Sequence, residues 1–181
     1  MSLADRVRGM VSRAVVSLVN DAFKMQALQV TLQADQTPDD AEHFQHYGYT
    51  SVPLPGAEGI ALAVGGSSGH IVVINVDDRR YRIKGLAAGE VCLYDDQGQR
   101  VHLTRAGIVV KGAGKPVTIT DTPLVKIEAN LQVTGSITGQ NGMAVTGAIA
   151  ATGDVTAAGT SLRTHVHSGV QPGAGNTGAP V

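Results

Sequence analysis

The chain has 181 residues, enough for one domain or two small ones. Fourteen Lys and Arg against 15 Asp and Glu leave a formal net charge of −1. That excludes phosphate-backbone binding as the main task, since such binding needs a basic surface. The two Phe and four Tyr all precede residue 95 and Trp is absent, so the rest of the chain cannot build an ordinary aromatic-anchored core. Cys92 is the single cysteine, which excludes an intrachain disulfide and points to synthesis in a reducing compartment. No apolar run reaches the roughly 18 residues that span a bilayer, and the N-terminus lacks the layout of a secretion signal.

Residues 2–20 are predicted to form a helix. Ser2 suits an N-cap and Asp5 an acidic first turn. Val7, Met10, Val11, Ala14, Val15, Leu18 and Val19 recur at three- and four-residue spacing. The stripe is compatible with packing on the chain's own domain or with an arm (1–23) that docks on a partner or sister chain.

Residues 24–105 read as a small β domain. A strand begins at Ala27, Val30 and Leu32. Apolar runs over Ile60–Val64 and His70–Val76 flank the turn cluster 65–69, and Arg79–Ile83 continues the pattern. Gly89–Tyr94 is a further strand, and Asp95-Asp96-Gln97-Gly98 turns it back into Val101-His102-Leu103. Five or six short strands over this length suit a closed barrel of the five-stranded OB type. His102, alternating with Val101 and Leu103, is expected on the outer face.

Residues 106–162 change character. Val117, Ile119, Val125, Ile127, Ala129, Leu131 and Val133 hold odd positions, a period of two and hence β. A loose repeat follows: Val133-Thr134-Gly135, Val145-Thr146-Gly147, Val155-Thr156-Ala157. Gly at the corners every ten to twelve residues means stacked short strands. A single-chain β-helix usually needs wider coils and a cap. Three chains wound on one axis bury the same apolar edges together, each supplying a third of the core.

The end, 163–181, carries the chemistry. His165 and His167 lie two apart, so in a strand they share a face. Alone they are a metal half-site, and surface histidines are the plainer reading. On a three-fold axis they become six converging nitrogens. That octahedron suits a first-row ion such as Fe(II) better than tetrahedral Zn, and with no open position the site is structural. Asp154 is the other candidate. Three copies would offer three carboxylates to an axial Ca²⁺, while a corner hydrogen bond is the simpler use.

No enzyme constellation emerges. Ser67, Ser68 and Ser168 lack an activating His/Asp pattern. Gly65-Gly66 lacks the Lys-Ser/Thr of a phosphate loop. His43 and His46 beside Phe44 lack the basic partners of a base-stacking site.

The run Gly153–Gly173, with Thr164-His165-Val166-His167-Ser168-Gly169, resembles the C-terminal signature of the central spike proteins of contractile-tailed phages, the baseplate assembly protein V family. His46-Tyr47-Gly48, Pro53-Leu54-Pro55-Gly56-Ala57-Glu58 and Gly89-Glu90-Val91 through Gly98 are similar to the phage Mu type of that family. The resemblance covers nearly the whole chain. It implies an all-β homotrimer with a short N-terminal helix and an OB-like barrel, then an intertwined β-helix ending in a metal-stapled tip. It also implies one structural iron per trimer, held by His165 and His167 of each chain. Hub and tail-tube proteins of the baseplate are the implied partners at the N-terminal end, the host outer membrane at the tip, and nucleic acid at neither. The implied location is the virion tail, after assembly in the host cytoplasm, and penetration would be mechanical. Two other classes compete with this one: an OB-type module for oligosaccharide or single-stranded nucleic acid on a trimeric stalk, and a receptor-binding tail fibre. The barrel segment lacks the basic and aromatic surplus of the first. The small C-terminus lacks the broad head of the second.

Overall fold

The computed structural model describes residues 7, 9–32, 37–67, 69–167, 169 and 173. The chain divides into two units, Met1–Asp121 and Thr122–Val181. In the first, strands β1 (Val11–Asn20), β2 (Ala27–Thr31), β3 (Ala41–His43), β4 (Glu58–Ala63) and β5 (Ile71–Asp77) close into a barrel. The barrel order is β1-β2-β3-β5-β4. All neighbouring pairs are antiparallel except β3 with β5. A five-stranded barrel with one parallel closure fits the OB-like fold.

The barrel core is Ala14, Val16, Leu28, Val30, Ala41, Ala57, Ala61, Ala63, Ile71 and Val73. Its largest fully buried side chains are Leu28, Val16, Val30 and Val73. Alternation places these inward, and the many alanines let so small a barrel close. Gly59 sits in the β4–β5 ladder just before its register shift, and a Cβ there would lie 2.6 Å from the Asn75 carbonyl oxygen.

The helix predicted over 2–20 is replaced by a strand from Val11 on: Val11–Asn20 is β1, paired with β2 on one side and β4 on the other. Ser2, Asp5 and the rest of 1–6 and 8 lie outside the described residues. The cause is legible in retrospect. Val11, Val15, Val16 and Val19 are β-branched, which disfavours helix and favours strand. Ala14 and Val16 are buried while Val11, Val15 and Leu18 are exposed, a period of two. A register shift between Val16 and Leu18 then brings Val19 towards the core, and that shift disguised the alternation as a helical stripe. Barrel membership changes accordingly. Its strands come from 11–77 rather than from 24–105, and Arg79–Ile83, expected as strand, is turn and coil.

The expected strand at 89–94 and its hairpin form a separate three-stranded sheet: β6 (Val91–Tyr94), β7 (Arg100–Leu103) and β8 (Ile108–Lys111), all antiparallel. In the β6–β7 turn, Asp95 Oδ1 accepts from Gln97 N (3.0 Å) and Gln99 N (2.8 Å), and Gly98 takes φ 86°, a conformation glycine adopts without cost. The expected facing of β7 is reversed: Val101 and Leu103 are exposed, and the His102 side chain is only 17% exposed.

In the second unit, β9 (Thr156–Ala157) and β10 (Thr160–Ser161) form the one ladder among the described residues. Every residue from 113 to 160 is exposed. The period-two segment 117–133 therefore presents Val117, Ile119, Val125, Ile127, Leu131 and Val133 at 45–67% exposure.

Candidate functional site

The C-terminal tip is built by a short hairpin and a side-chain cap. Ala158 (φ 47°) and Gly159 (φ 81°) form the two-residue turn between β9 and β10, the geometry of a type I′ hairpin. Leu162 N donates to Val155 O (2.8 Å), extending the ladder. Ser161, closing β10, caps the turn that follows: its Oγ accepts from Arg163 N (3.1 Å) and Thr164 N (2.9 Å). Asp154 Oδ1 also accepts from Arg163 N (3.2 Å). These caps compensate backbone donors that the short ladder leaves free.

The cap sets His165. Its backbone N donates to Ser161 O (3.1 Å), and its ring Nδ1 lies 2.9 Å from Ser161 O and 3.2 Å from Leu162 O. Carbonyl oxygens only accept, so Nδ1 carries the proton, and the neutral ring has its lone pair on Nε2. The His167 ring lies 5.1 Å from that of His165, centroid to centroid, at 74°. The two imidazoles are thus brought together at the exposed tip. They are a pair and no more, since no group of three or more His, Cys, Asp or Glu suited to a metal occurs among the described residues of one chain. Asp154 is engaged as a corner acceptor. Ser168 and residues 170–172 and 174–181 lie outside the described residues.

The remaining chemistry-bearing side chains serve the fold. His43 is buried in β3, its Nδ1 2.7 Å from Gln26 Oε1. Gln26, also buried, donates through Nε2 to Asp21 Oδ1 (2.7 Å) and Ser51 O (3.0 Å). Burial holds the His43 pKa below its ordinary value. Glu90 ties two turns to the β6–β8 sheet by accepting from Arg105 N and Ala87 N, both at 3.0 Å, and it lies 3.3 Å from His102 Nε2. Those backbone donors, chiefly Arg105 and then Ala87, lower its pKa. Arg79 grips Glu58 with two nitrogens, and Arg13 joins them. Arg80 is held by Asp78, so in the 77–80 charge run Asp77 closes β5 and the turn after it is paired through Asp78, Arg79 and Arg80.

Sequence reasoning missed Ser161, Gln26 and Glu90. Ser161 carried the signal of a hydroxyl residue before a turn. Gln26 and Glu90 carried none, because each joins a near neighbour to partners 12 or more residues away, His43 and Ser51 for Gln26 and His102 and Arg105 for Glu90.

A small closed barrel in one unit, and in the other an exposed aromatic-free segment with a capped turn beside a histidine pair, are features of a structural protein, and no enzyme constellation accompanies them among the described residues. The family described as Bacteriophage Mu Gp45, N-terminal, matches residues 13–80, which span β1 to β5, and the GpV Apex motif matches 159–181. The "Baseplate puncturing device gp45" of Escherichia phage Mu is 36% identical over 172 residues, covering 92% of this chain and 87% of the relative. The "Mu-like prophage FluMu protein gp45" of Haemophilus influenzae is 46% identical over 113 residues, 62% of each chain. The chain belongs to the Mu gp45 family of phage tail baseplate proteins.

Proposed function

We propose that the chain is the central spike of a contractile phage tail, placed at the tip of the baseplate, and that it punctures the host outer membrane. The observation that carries the reading is the run 113–160, whose regularly spaced Val, Ile and Leu are exposed in the single chain. Leaving so much apolar surface in water is costly, at roughly 25 cal/mol per Å². Three copies wound round one axis remove it, and each chain then supplies one edge of a common β-helical core. Gly, Ala, Ser and Thr keep such a shaft narrow, and interchain burial makes it stiff. Penetration is mechanical: the load passes along the shaft to the tip, with no chemistry required. The N-terminal barrel meets the hub and tail tube.

The tip residues fit a structural metal. His165 presents Nε2 with its lone pair free, because Ser161 and Leu162 carbonyls hold the Nδ1 proton. His167 stands beside it. His165 and His167 of three chains would together hold one iron ion, which would supply a cross-link between chains where few other contacts remain. Neutral imidazoles suit such an ion better than a hard cation. Asp154 serves as a cap for Arg163 in this reading and leaves any axial Ca²⁺ to other groups.

Sedimentation equilibrium with elemental analysis tests both parts. A trimer with one iron per three chains is expected. A monomer at micromolar concentration would refute the shaft, and a trimer without a transition metal would refute the tip.

A further inference from the structure

Within the unit Met1–Asp121, a groove of about 670 Å³ lies between the segment that follows β3 and the first strand of the β6–β8 sheet. That is within the range of about 300–1,000 Å³ of ligand-sized clefts. Tyr49, Leu54, Tyr81, Leu93 and Tyr94 line it. The first four are 37–53% exposed, whereas the barrel core holds no aromatic side chain. Four aspartates also line the groove, and no Lys or Arg does. Two of them are spent locally: Asp78 holds Arg80, and Asp95 accepts from the backbone of its own turn. Asp77 accepts from the Tyr94 phenol. Asp96 is exposed, its carboxylate unpaired among the described residues. The groove therefore keeps negative charge beside tyrosine rings.

We infer that this groove holds an extended, arginine- or lysine-bearing segment of a partner protein, added as a fourth strand on the outer edge of β6. Three observations select that occupant. First, β6 is an edge of its sheet. One side of it pairs with β7, and its outward side has no backbone partner among the described residues. Such an edge is a template for one more strand. Second, Cys92, Leu93 and Tyr94 all line the groove. Successive side chains point to opposite faces, so three in a row mark the edge, not one face, as the groove's wall. Third, unbalanced carboxylates and tyrosine faces both favour a cation, by charge and by ring quadrupole. The groove's own margin shows that pairing. The Arg80 guanidinium stands 5.3 Å from the centre of the Tyr81 ring and is held by Asp78 and the Pro55 carbonyl. The inference concerns this unit alone and is independent of the shaft and the tip.

The chain has four Tyr and no Trp, and Tyr49, Tyr81 and Tyr94 line the groove, so tyrosine fluorescence reports its occupancy. Titrating the full chain with acetyl-Arg-Val-Arg-Val-Arg-amide should give a saturable change, half complete below about 1 mM. The Glu-Val-Glu-Val-Glu counterpart and maltohexaose should give none. Tyr81→Ala and Asp96→Lys should each weaken binding by about 5- to 10-fold. Asp39→Lys, in the β2–β3 connection and outside the groove, should leave it unchanged. Should Tyr81→Ala fail to fold, Asp96→Lys on its exposed turn decides. Strand addition has its own readout. N–H groups of successive residues point to opposite edges of a strand, so methylating the valine nitrogens or the arginine nitrogens blocks opposite edges. One of these two methylated peptides should bind about 10-fold more weakly than the other. No response to the basic peptide, an equal response to the acidic one, or a response to the sugar alone overturns the inference. So does unchanged binding by Asp96→Lys, or equal binding of the two methylated peptides. Each of these outcomes leaves the spike reading standing, since sedimentation and metal content decide that separately.

Discussion

His43 shows how one side chain conditions the barrel. It is 5% exposed and held by Gln26, which is itself anchored on Asp21 and the Ser51 carbonyl. Burial favours the neutral ring, so the folded pKa lies below the ordinary 6.5. The unfolded chain then binds the extra proton first, and folded stability, full above about pH 6.5, falls as pH drops through the window beneath it. Thermal unfolding followed from pH 7.5 to 5 should show this decline, and His43→Gln should flatten it. A decline of equal size in both proteins would assign it elsewhere. Ser161 acts at the same scale on the tip. Its Oγ takes two backbone donors and its carbonyl orients His165. Ser161→Ala keeps the carbonyl but frees the turn, so retention of the proposed iron against a chelator should drop by roughly 10- to 100-fold, as when other outer partners of a ligand are lost. Unchanged retention would show that the turn needs no cap.

At the scale of elements, close approach and turn geometry decide. A Cβ at Gly59 would meet the Asn75 carbonyl at 2.6 Å, and backbone yields less than a side chain does. Gly59→Ala should cost about 1–3 kcal/mol, read as a lower denaturation midpoint at unchanged slope. Ala158 goes the other way. It holds φ 47° in the β9–β10 turn, where Asn is better suited, so Ala158→Asn should protect the hairpin against hydrogen exchange. The same elements show what could be read in advance. Strands β2, β4, β5, β6 and β7 were legible because alternation and turn clusters bracket each of them. β1 was not, because the register shift after Val16 breaks its alternation and mimics a helical stripe. Barrel membership was not legible either, since it depends on pairing between distant segments, which a local pattern does not encode. The facing of His102 was misjudged for a related reason: Val101 and Leu103 are turned away from their own chain. At the tip, the His-x-His spacing marked two neighbouring rings and the corner hydrogen bond expected of Asp154 is present, whereas the capping role of Ser161 appeared only once the turn was folded.

For the whole molecule, the two proposed holds on the trimer are unequal. The proposed apolar burial along 113–160 is long and distributed, whereas the histidine pair acts at one point. Removing the pair should therefore separate assembly from fastening. In a His165→Ala, His167→Ala double variant, the Val, Ile and Leu surface of the shaft is untouched, so sedimentation should still give the trimeric mass of the wild type. The iron should be gone. What changes is the segment around the two histidines, which loses its proposed cross-link between chains and opens more often. Limited proteolysis should then trim the variant progressively from the C-terminus, while the wild type resists and the barrel survives in both. Cleavage of open ends tracks their open population when closing is fast, so the difference should persist at low protease and grow with temperature. Loss of the trimer on removing the two histidines would reverse the order of importance, making the tip the main clamp and the apolar shaft secondary.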